Sequence, residues 1–175
     1  MGKLYTYRDF LREVQLSTLY LEETKLKYGD YMVIEMENSV SALALFMGAL
    51  IKHIVPVIVS PNIKQKEIEQ ICRSCCISVY FYSEGNNKET VNIRDMQIFP
   101  INKSYDGYVE SSHPLSCTKN DNTAYVTYTS GSTGTPKRVN VTHRNMLAEI
   151  SAMAAAYGLT NNDRHMCILP IYHTS

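Results

Sequence analysis

The segment 129–137, with the sequence TSGSTGTPK, carries the residue types that a phosphate-binding loop requires. Its two glycines, Gly131 and Gly134, allow a ligand to approach the backbone closely, with amide N–H groups turned inward. The serine and threonine hydroxyls can bond phosphate oxygens or a magnesium ion, and Lys137 adds a mobile positive charge. We therefore predict that this segment binds a polyphosphate.

Two other interpretations of the segment fit the sequence less well. The Walker loop requires a glycine where Pro136 stands and a serine or threonine where Arg138 stands, so that pattern does not match. A solvent-exposed turn rich in serine, glycine and threonine is the simpler alternative. Such turns are common, but one that ends in Pro-Lys between two β-prone stretches is not. This context favours the phosphate-binding interpretation.

Alternating β-prone and helical stretches surround the segment and predict an α/β fold. Capping residues and hydrophobic periodicity indicate helices over residues 6–29, 39–51, 65–76 and 142–158. β-prone runs indicate strands over residues 31–37, 55–59, 77–82, 97–101, 124–129 and 139–141. This order predicts one domain with a mainly parallel sheet flanked by helices on both faces.

The sequence indicates neither a strong net charge nor a membrane-spanning segment. The 175 residues include 17 basic and 17 acidic side chains, which gives no reason to expect nucleic-acid binding. The apolar stretch 40–60 is interrupted by Lys52, His53 and Pro56. We therefore predict a buried helix followed by a buried strand there, and no membrane span.

The five cysteines indicate free thiols in a reducing compartment, so we predict a cytoplasmic location. Cys72, Cys75 and Cys76 have the spacing of half a zinc site, but no second pair follows at a metal-binding spacing. We interpret these three cysteines as packing residues on a helix and predict no metal site there.

The stretch YTSGSTGTPK resembles the phosphate-binding loop of the adenylate-forming superfamily, which includes acyl-CoA synthetases, peptide-synthetase adenylation domains and luciferases. The resemblance covers nearly the whole chain. Five further segments are similar to the family's elements and occur in the family's order: LYTYRDFLREV, residues 28–62, KEIEQICRSCCISVYF, VTHRNMLAE and LPIYH. The loop match is highly specific, whereas each flanking match is weak alone.

The resemblance implies a two-step ligase reaction. A carboxylate attacks the α-phosphate of ATP, which gives an acyl-adenylate and pyrophosphate. A thiol, of coenzyme A or of a carrier protein's phosphopantetheine, then takes the acyl group. The implied β/γ-phosphate site contains Thr129, Ser130, Gly131, Ser132, Thr133, Gly134 and Lys137, with Thr129 as the candidate ligand of Mg²⁺. Lys137 is assigned a catalytic role, because it neutralises charge on the departing pyrophosphate.

The element 170–173, with the sequence PIYH, separates two branches of the family. It is similar to the Pro-x-aromatic-His element of acyl- and aryl-CoA synthetases, whereas amino-acid adenylation domains have an aspartate-containing segment there. The resemblance implies a small carboxylic acid without an α-amine, with His173 as a catalytic residue near the acyl carboxylate. A packed or surface role for His173 stays open, as do an amino-acid adenylation domain and a non-catalytic binding module.

The sequence departs from the family pattern in two ways. Arg138 follows the loop lysine where a glycine is usual, and the simplest interpretation is that its side chain points into solvent. Residues 1–175 also lack the family's adenine- and ribose-binding elements and its C-terminal lid domain. We interpret them as an incomplete N-terminal AMP-binding domain. We expect the isolated chain to be inactive and to self-associate through apolar surface that those elements would cover.

Overall fold

The computed structural model describes residues 3–83, 96–102, 123–129 and 137–172. Within these ranges, helices and strands alternate largely as predicted. Their bounds are α1 Tyr7–Glu23, β1 Tyr31–Glu35, α2 Val40–Ile51, β2 Val55–Val59, α3 Gln65–Ser74, β3 Val79–Tyr82, β4 Gln97–Pro100, β5 Thr123–Thr129, β6 Lys137–Thr142 and α4 His143–Tyr157.

The six strands form one sheet in the order β4-β3-β1-β2-β5-β6. The first five strands of that order are parallel, and β6 pairs antiparallel with β5 at the edge. Parallel neighbours cannot be joined by a tight turn, so the chain crosses over through helices. α2 connects β1 to β2, and α3 connects β2 to β3. The predicted mainly parallel sheet is confirmed.

Alternate residues of the central strands build a separate core on each face of the sheet. Met32 and Ile34 of β1 pack in the cluster that contains α1 and α2 residues, whereas Val33 packs in the cluster that contains α3 residues. α1 and α2 pack closely, because a Cβ added at Gly48 would lie 3.0 Å from the Ser17 Cβ. The prediction of helices on both faces is therefore confirmed.

The end of α1 differs from the sequence prediction. The helix begins as predicted, with Thr6 and Asp9 forming a capping box. It ends at Glu23 instead of continuing towards residue 29. The Thr24 hydroxyl donates to the Leu21 carbonyl at 2.6 Å, and Lys25 adopts a positive φ of 58°. A residue with a left-handed backbone conformation cannot continue a right-handed helix, so α1 stops there.

The interpretation of the three clustered cysteines as packing residues on a helix is confirmed for Cys72, whereas Cys75 packs from the C-cap just beyond the helix. Cys72 and Cys75 are buried, but Cys76 is exposed with a φ of 51°, because α3 ends at Ser74. Burial raises the pKa of the Cys72 thiol to about 12, which disfavours the thiolate that a metal requires. Within the described ranges, no group of three or more His, Cys, Asp or Glu side chains is placed to hold a metal ion.

The most apolar helix is too short to span a bilayer. α2 has 12 residues and is about 18 Å long, whereas bilayer hydrocarbon is about 30 Å thick. In the part of the chain that the structure describes, no helix has the length and apolar character that a membrane crossing needs.

Candidate functional site

β5 and β6 form an antiparallel hairpin, and the predicted phosphate-binding segment connects the two strands in the sequence. Thr129, the last residue of β5, is the Cα partner of Lys137, the first residue of β6. Both residues are exposed. Directly opposed residues of antiparallel strands lie about 5 Å apart, so the two ends of the segment are adjacent. The predicted site residues between them, Ser130, Gly131, Ser132, Thr133 and Gly134, lie outside the described residues.

The end of the hairpin that Thr129 and Lys137 form lies at the edge of the sheet where the parallel strands end. β5 runs parallel to β2, and β2 runs parallel to β1, so Thr129 is at the same edge as the last residues of both strands. In open α/β sheets, ligands bind outside the carboxyl ends of the strands. A hydroxyl at Thr129 can bond a phosphate oxygen or a magnesium ion, and the Lys137 ammonium can pair with phosphate. This donor set fits a magnesium-bound polyphosphate.

Tyr128 anchors the end of β5 to the end of α3. Its hydroxyl lies 3.1 Å from the Ser74 Oγ and 3.5 Å from the Cys75 Sγ. Burial raises the pKa of the Tyr128 phenol, and its contact with Cys75 adds to that shift. The phenol therefore stays protonated, and it ties the residue before Thr129 to the end of α3.

Arg138 makes defined contacts, although its side chain is exposed. Its Nη2 donates to the Tyr31 hydroxyl at 2.9 Å, and its Nε donates to the Asn140 Oδ1 at 2.8 Å. The guanidinium carbon lies 5.0 Å from the centroid of the Tyr31 ring, a cation–π distance. The expectation that Arg138 simply points into solvent is therefore wrong, because a hydroxyl and an aromatic face hold its side chain.

The element that begins at Pro170 is fixed to the carboxyl end of β1 by Asn38, a residue that sequence reasoning missed. The Asn38 Nδ2 donates to the Leu169 carbonyl at 2.9 Å, and its Oδ1 accepts from the Ile171 N–H at 2.9 Å. Ile171 and Tyr172 pack against the core that α1 and α2 share. The element therefore lies at the same sheet edge as Thr129. His173 lies outside the described residues.

A buried carboxylate, also missed by sequence reasoning, ties together the ends of β1 and β3. Glu35 is fully buried, and its carboxylate accepts from the Tyr80 hydroxyl at 2.6 Å and from the Ser83 N–H at 3.1 Å. The Ser83 hydroxyl donates to the Glu37 carboxylate. Burial raises the pKa of Tyr80, and the negative charge of Glu35 raises it further. Glu35 therefore accepts hydrogen bonds inside the fold, between β1 and β3.

A cleft of about 360 Å³ lies at the opposite edge of the sheet. It is lined by the beginnings of β1, β2, β5 and α4, including His53, Thr123 and His143. β5 separates Thr123 from Thr129 by about 20 Å, given the rise per residue of a strand. Partial burial and the neighbouring His53 lower the pKa of His143. The cleft is therefore not part of the hairpin site.

Residues 1–175 match the family model described as AMP-binding enzyme. The chain therefore belongs to the AMP-binding enzyme family. The resemblance of the loop sequence to the adenylate-forming superfamily is thus confirmed. The expectation of a mixed, mainly parallel α/β domain is confirmed as well.

Curated relatives come from both branches of that family. The chain is 26% identical over 174 residues to surfactin synthase subunit 2 of Bacillus subtilis, which is 93% of this chain and 4% of that protein. It is 25% identical over 178 residues to the 2-succinylbenzoate–CoA ligase of Bacillus pumilus, which is 99% of this chain and 35% of that protein.

A solved relative has the same fold. The O-succinylbenzoate coenzyme A synthetase of Bacillus subtilis, in complex with ATP and a magnesium ion, matches with a TM-score of 0.84 at 17% identity. The match covers 99% of this chain and 46% of that one. This chain thus spans less than half the length of each of the three proteins.

Proposed function

We propose that this chain forms the phosphate-binding part of an ATP-dependent acid–thiol ligase of the acyl-CoA synthetase kind. The observation that carries the proposal is the pairing of Thr129 with Lys137 across the mouth of a hairpin, at the carboxyl edge of a parallel sheet. In an AMP-binding enzyme, a hydroxyl and an ammonium at that place suit the β- and γ-phosphates of ATP.

Each residue of the hairpin tip has a distinct task in this proposal. Lys137 pairs with the β- and γ-phosphates and neutralises charge that develops as pyrophosphate leaves. The hydroxyl of Thr129 lies at the end of β5, where it is the candidate ligand of Mg²⁺. A bound Mg²⁺ supplies charge that offsets the phosphates. Backbone amides and hydroxyls of the segment 130–134 complete the phosphate site, on the strength of their sequence.

The acid and the thiol are assigned to the element that Asn38 holds. Tyr172 is half-buried at this edge, and His173 follows it in the sequence. We assign His173 a place beside the carboxylate of the acid and the incoming thiol of coenzyme A or a carrier's phosphopantetheine. A reaction of this kind, in a chain with free thiols, suits a cytoplasmic location.

An amino-acid adenylation domain of a peptide synthetase is the second candidate. The observation that favours it is the similarity to surfactin synthase subunit 2, which is as close as the similarity to the CoA ligase. The two candidates differ in substrate: the element PIYH favours an acid without an α-amine.

ATP–pyrophosphate exchange tests both candidates. A full-length protein that contains this chain should exchange pyrophosphate in the presence of fatty or aromatic acids and not in the presence of amino acids. Exchange that depends on an amino acid would support the second candidate. The 175-residue chain alone should stay at background with every acid, and acid-dependent exchange by it would contradict its assignment as one part of a site.

A further inference from the structure

Asn38 makes a two-point contact with backbone that lies more than 130 residues away in the sequence. Its amide nitrogen donates to the Leu169 carbonyl, and its amide oxygen accepts from the Ile171 N–H, each at 2.9 Å. These two backbone groups flank Pro170. One side chain thus makes the pair of hydrogen bonds that a neighbouring strand would otherwise make.

The contact fixes both the position and the direction of the element at Pro170. Residues 164–170 form neither helix nor strand, and a proline has no N–H to donate. Asn38 itself has little freedom, because it lies between β1 and the N-cap of α2. The Ser39 hydroxyl accepts from the Ala42 N–H at 3.1 Å, and the Ser39 N–H donates to the Glu37 carbonyl at 2.8 Å. Asn38 therefore links the element to the most buried part of the fold.

The sheet sets the distance between this contact and the phosphate-binding hairpin. β1 and β5 are separated by β2 alone, and neighbouring strands lie about 4.8 Å apart, so the two strand ends are about 10 Å apart. A span of that size accommodates the carboxylate of an acid beside the α-phosphate of ATP. A shift of the Pro170 element would change its own distance from the end of β5, while the distance between the two strand ends would stay the same.

We propose that Asn38 is a positioning residue that sets the location of Ile171 and Tyr172 relative to the ends of β5 and β6, and thereby determines the fit of the acid substrate. The inference rests on the proposed ligase function. Asn38 acts through the backbone of Leu169 and Ile171, so it affects recognition of the acid and leaves the phosphate site unchanged.

Hydrogen exchange of the Ile171 amide in the 175-residue chain tests the structural half of this inference. Asn38→Ala removes both hydrogen bonds and should speed exchange of this amide about 10-fold or more. Ser39→Ala is the matched control: it removes the N-cap of the same helix and does not touch the Pro170 element. The inference is overturned if the two variants speed hydrogen exchange of the Ile171 amide equally, or if Asn38→Ala leaves the exchange rate of this amide unchanged.

Kinetics of a full-length protein that contains this chain test the functional half. Asn38→Ala should raise the KM for the acid about 10- to 100-fold, as the loss of two neutral hydrogen bonds implies, while the KM for ATP stays constant. Ser39→Ala should leave both KM values near those of the wild type.

Lys137→Ala separates a failure of this inference from a failure of the proposed function. If Lys137→Ala slows ATP–pyrophosphate exchange while Asn38→Ala behaves like Ser39→Ala, the positioning role is wrong and the ligase function stands. If Lys137→Ala has no effect on ATP–pyrophosphate exchange, the proposed function itself is wrong.

Discussion

Helices α2 and α4 begin with the same local signal and differ in what covers them. A hydroxyl caps each one, from Ser39 for α2 and from Thr142 for α4. Most residues of α2 are buried between the sheet and α1, whereas α4 has no buried residue, and Leu147, Ile150, Met153 and Tyr157 are all at least half exposed. Capping thus determines where a helix begins, and packing alone determines how much it stabilises the fold.

A matched pair of leucine substitutions gives the largest expected effect. Leu45 of α2 is 1% exposed, and Leu147 of α4 is 54% exposed. Leu45→Ala should lower the free energy of unfolding by about 2–5 kcal/mol, because it removes buried methyl groups and leaves a cavity. Leu147→Ala should change it by about 0.5 kcal/mol or less. Denaturant titration of both variants measures the difference, and equal losses would show that α4 is covered in solution.

Light scattering tests whether the chain self-associates through the apolar side of α4. Leu147, Ile150 and Met153 form an apolar stripe at helical spacing, and exposed stripes of this kind mark interaction surfaces. We expect the isolated chain to self-associate at high concentration, and Ile150→Lys to shift it towards the monomer. Ala152→Lys, on the same helix, is the control and should leave association unchanged. A monodisperse wild-type monomer at high concentration would contradict the expectation.

The smallest expected effect concerns the place where the end of α2 meets the beginning of α4. His53, which follows α2, and His143, the first residue of α4, have ring centroids 6.5 Å apart. The pKa of His143 is lowered by burial and by His53. The folded state thus favours the neutral imidazole. The resulting stability is fully present above the unfolded pKa of about 6.5 and is lost as the pH falls below it.

Thermal unfolding at pH 7.5 and pH 5.5 measures this contribution. His143→Gln should show a smaller loss of Tm between the two pH values than the wild type. The exposed His165→Gln should show the wild-type loss. An identical pH dependence in His143→Gln and wild type would show that protonation of His143 is not coupled to unfolding.

Local signals made the helix starts, the α4 end and most strands predictable from the sequence. Thr6 with Asp9, Ser39, Thr142 and Gly158 each act through neighbours within a few residues, and each lies where it was predicted. The end of α1 was missed because the Thr24 hydroxyl and the positive φ of Lys25 end the helix before Gly29 is reached.

Contacts between distant residues explain what the sequence left undetermined at the site. The loop composition predicted a phosphate site, and the strand register brings Thr129 and Lys137 together at its mouth. The Asn38 contact with the Pro170 element and the Glu35–Tyr80 bond join residues that no short pattern relates. A polar residue just after a buried parallel strand was the available signal for Asn38, because such positions lie at the ligand-binding edge.

The central claim is that the β5–β6 hairpin stabilises departing pyrophosphate, and the two half-reactions of Lys137→Ala test it most directly. In a full-length protein, this variant should slow adenylate formation by about 2–4 kcal/mol in activation free energy, the loss typical of removing one electrostatic stabiliser. Transfer of the acyl group from preformed adenylate to the thiol should hardly change, because pyrophosphate has already left. Equal pyrophosphate-exchange rates for variant and wild type, or a defect confined to thioester formation, would contradict the claim.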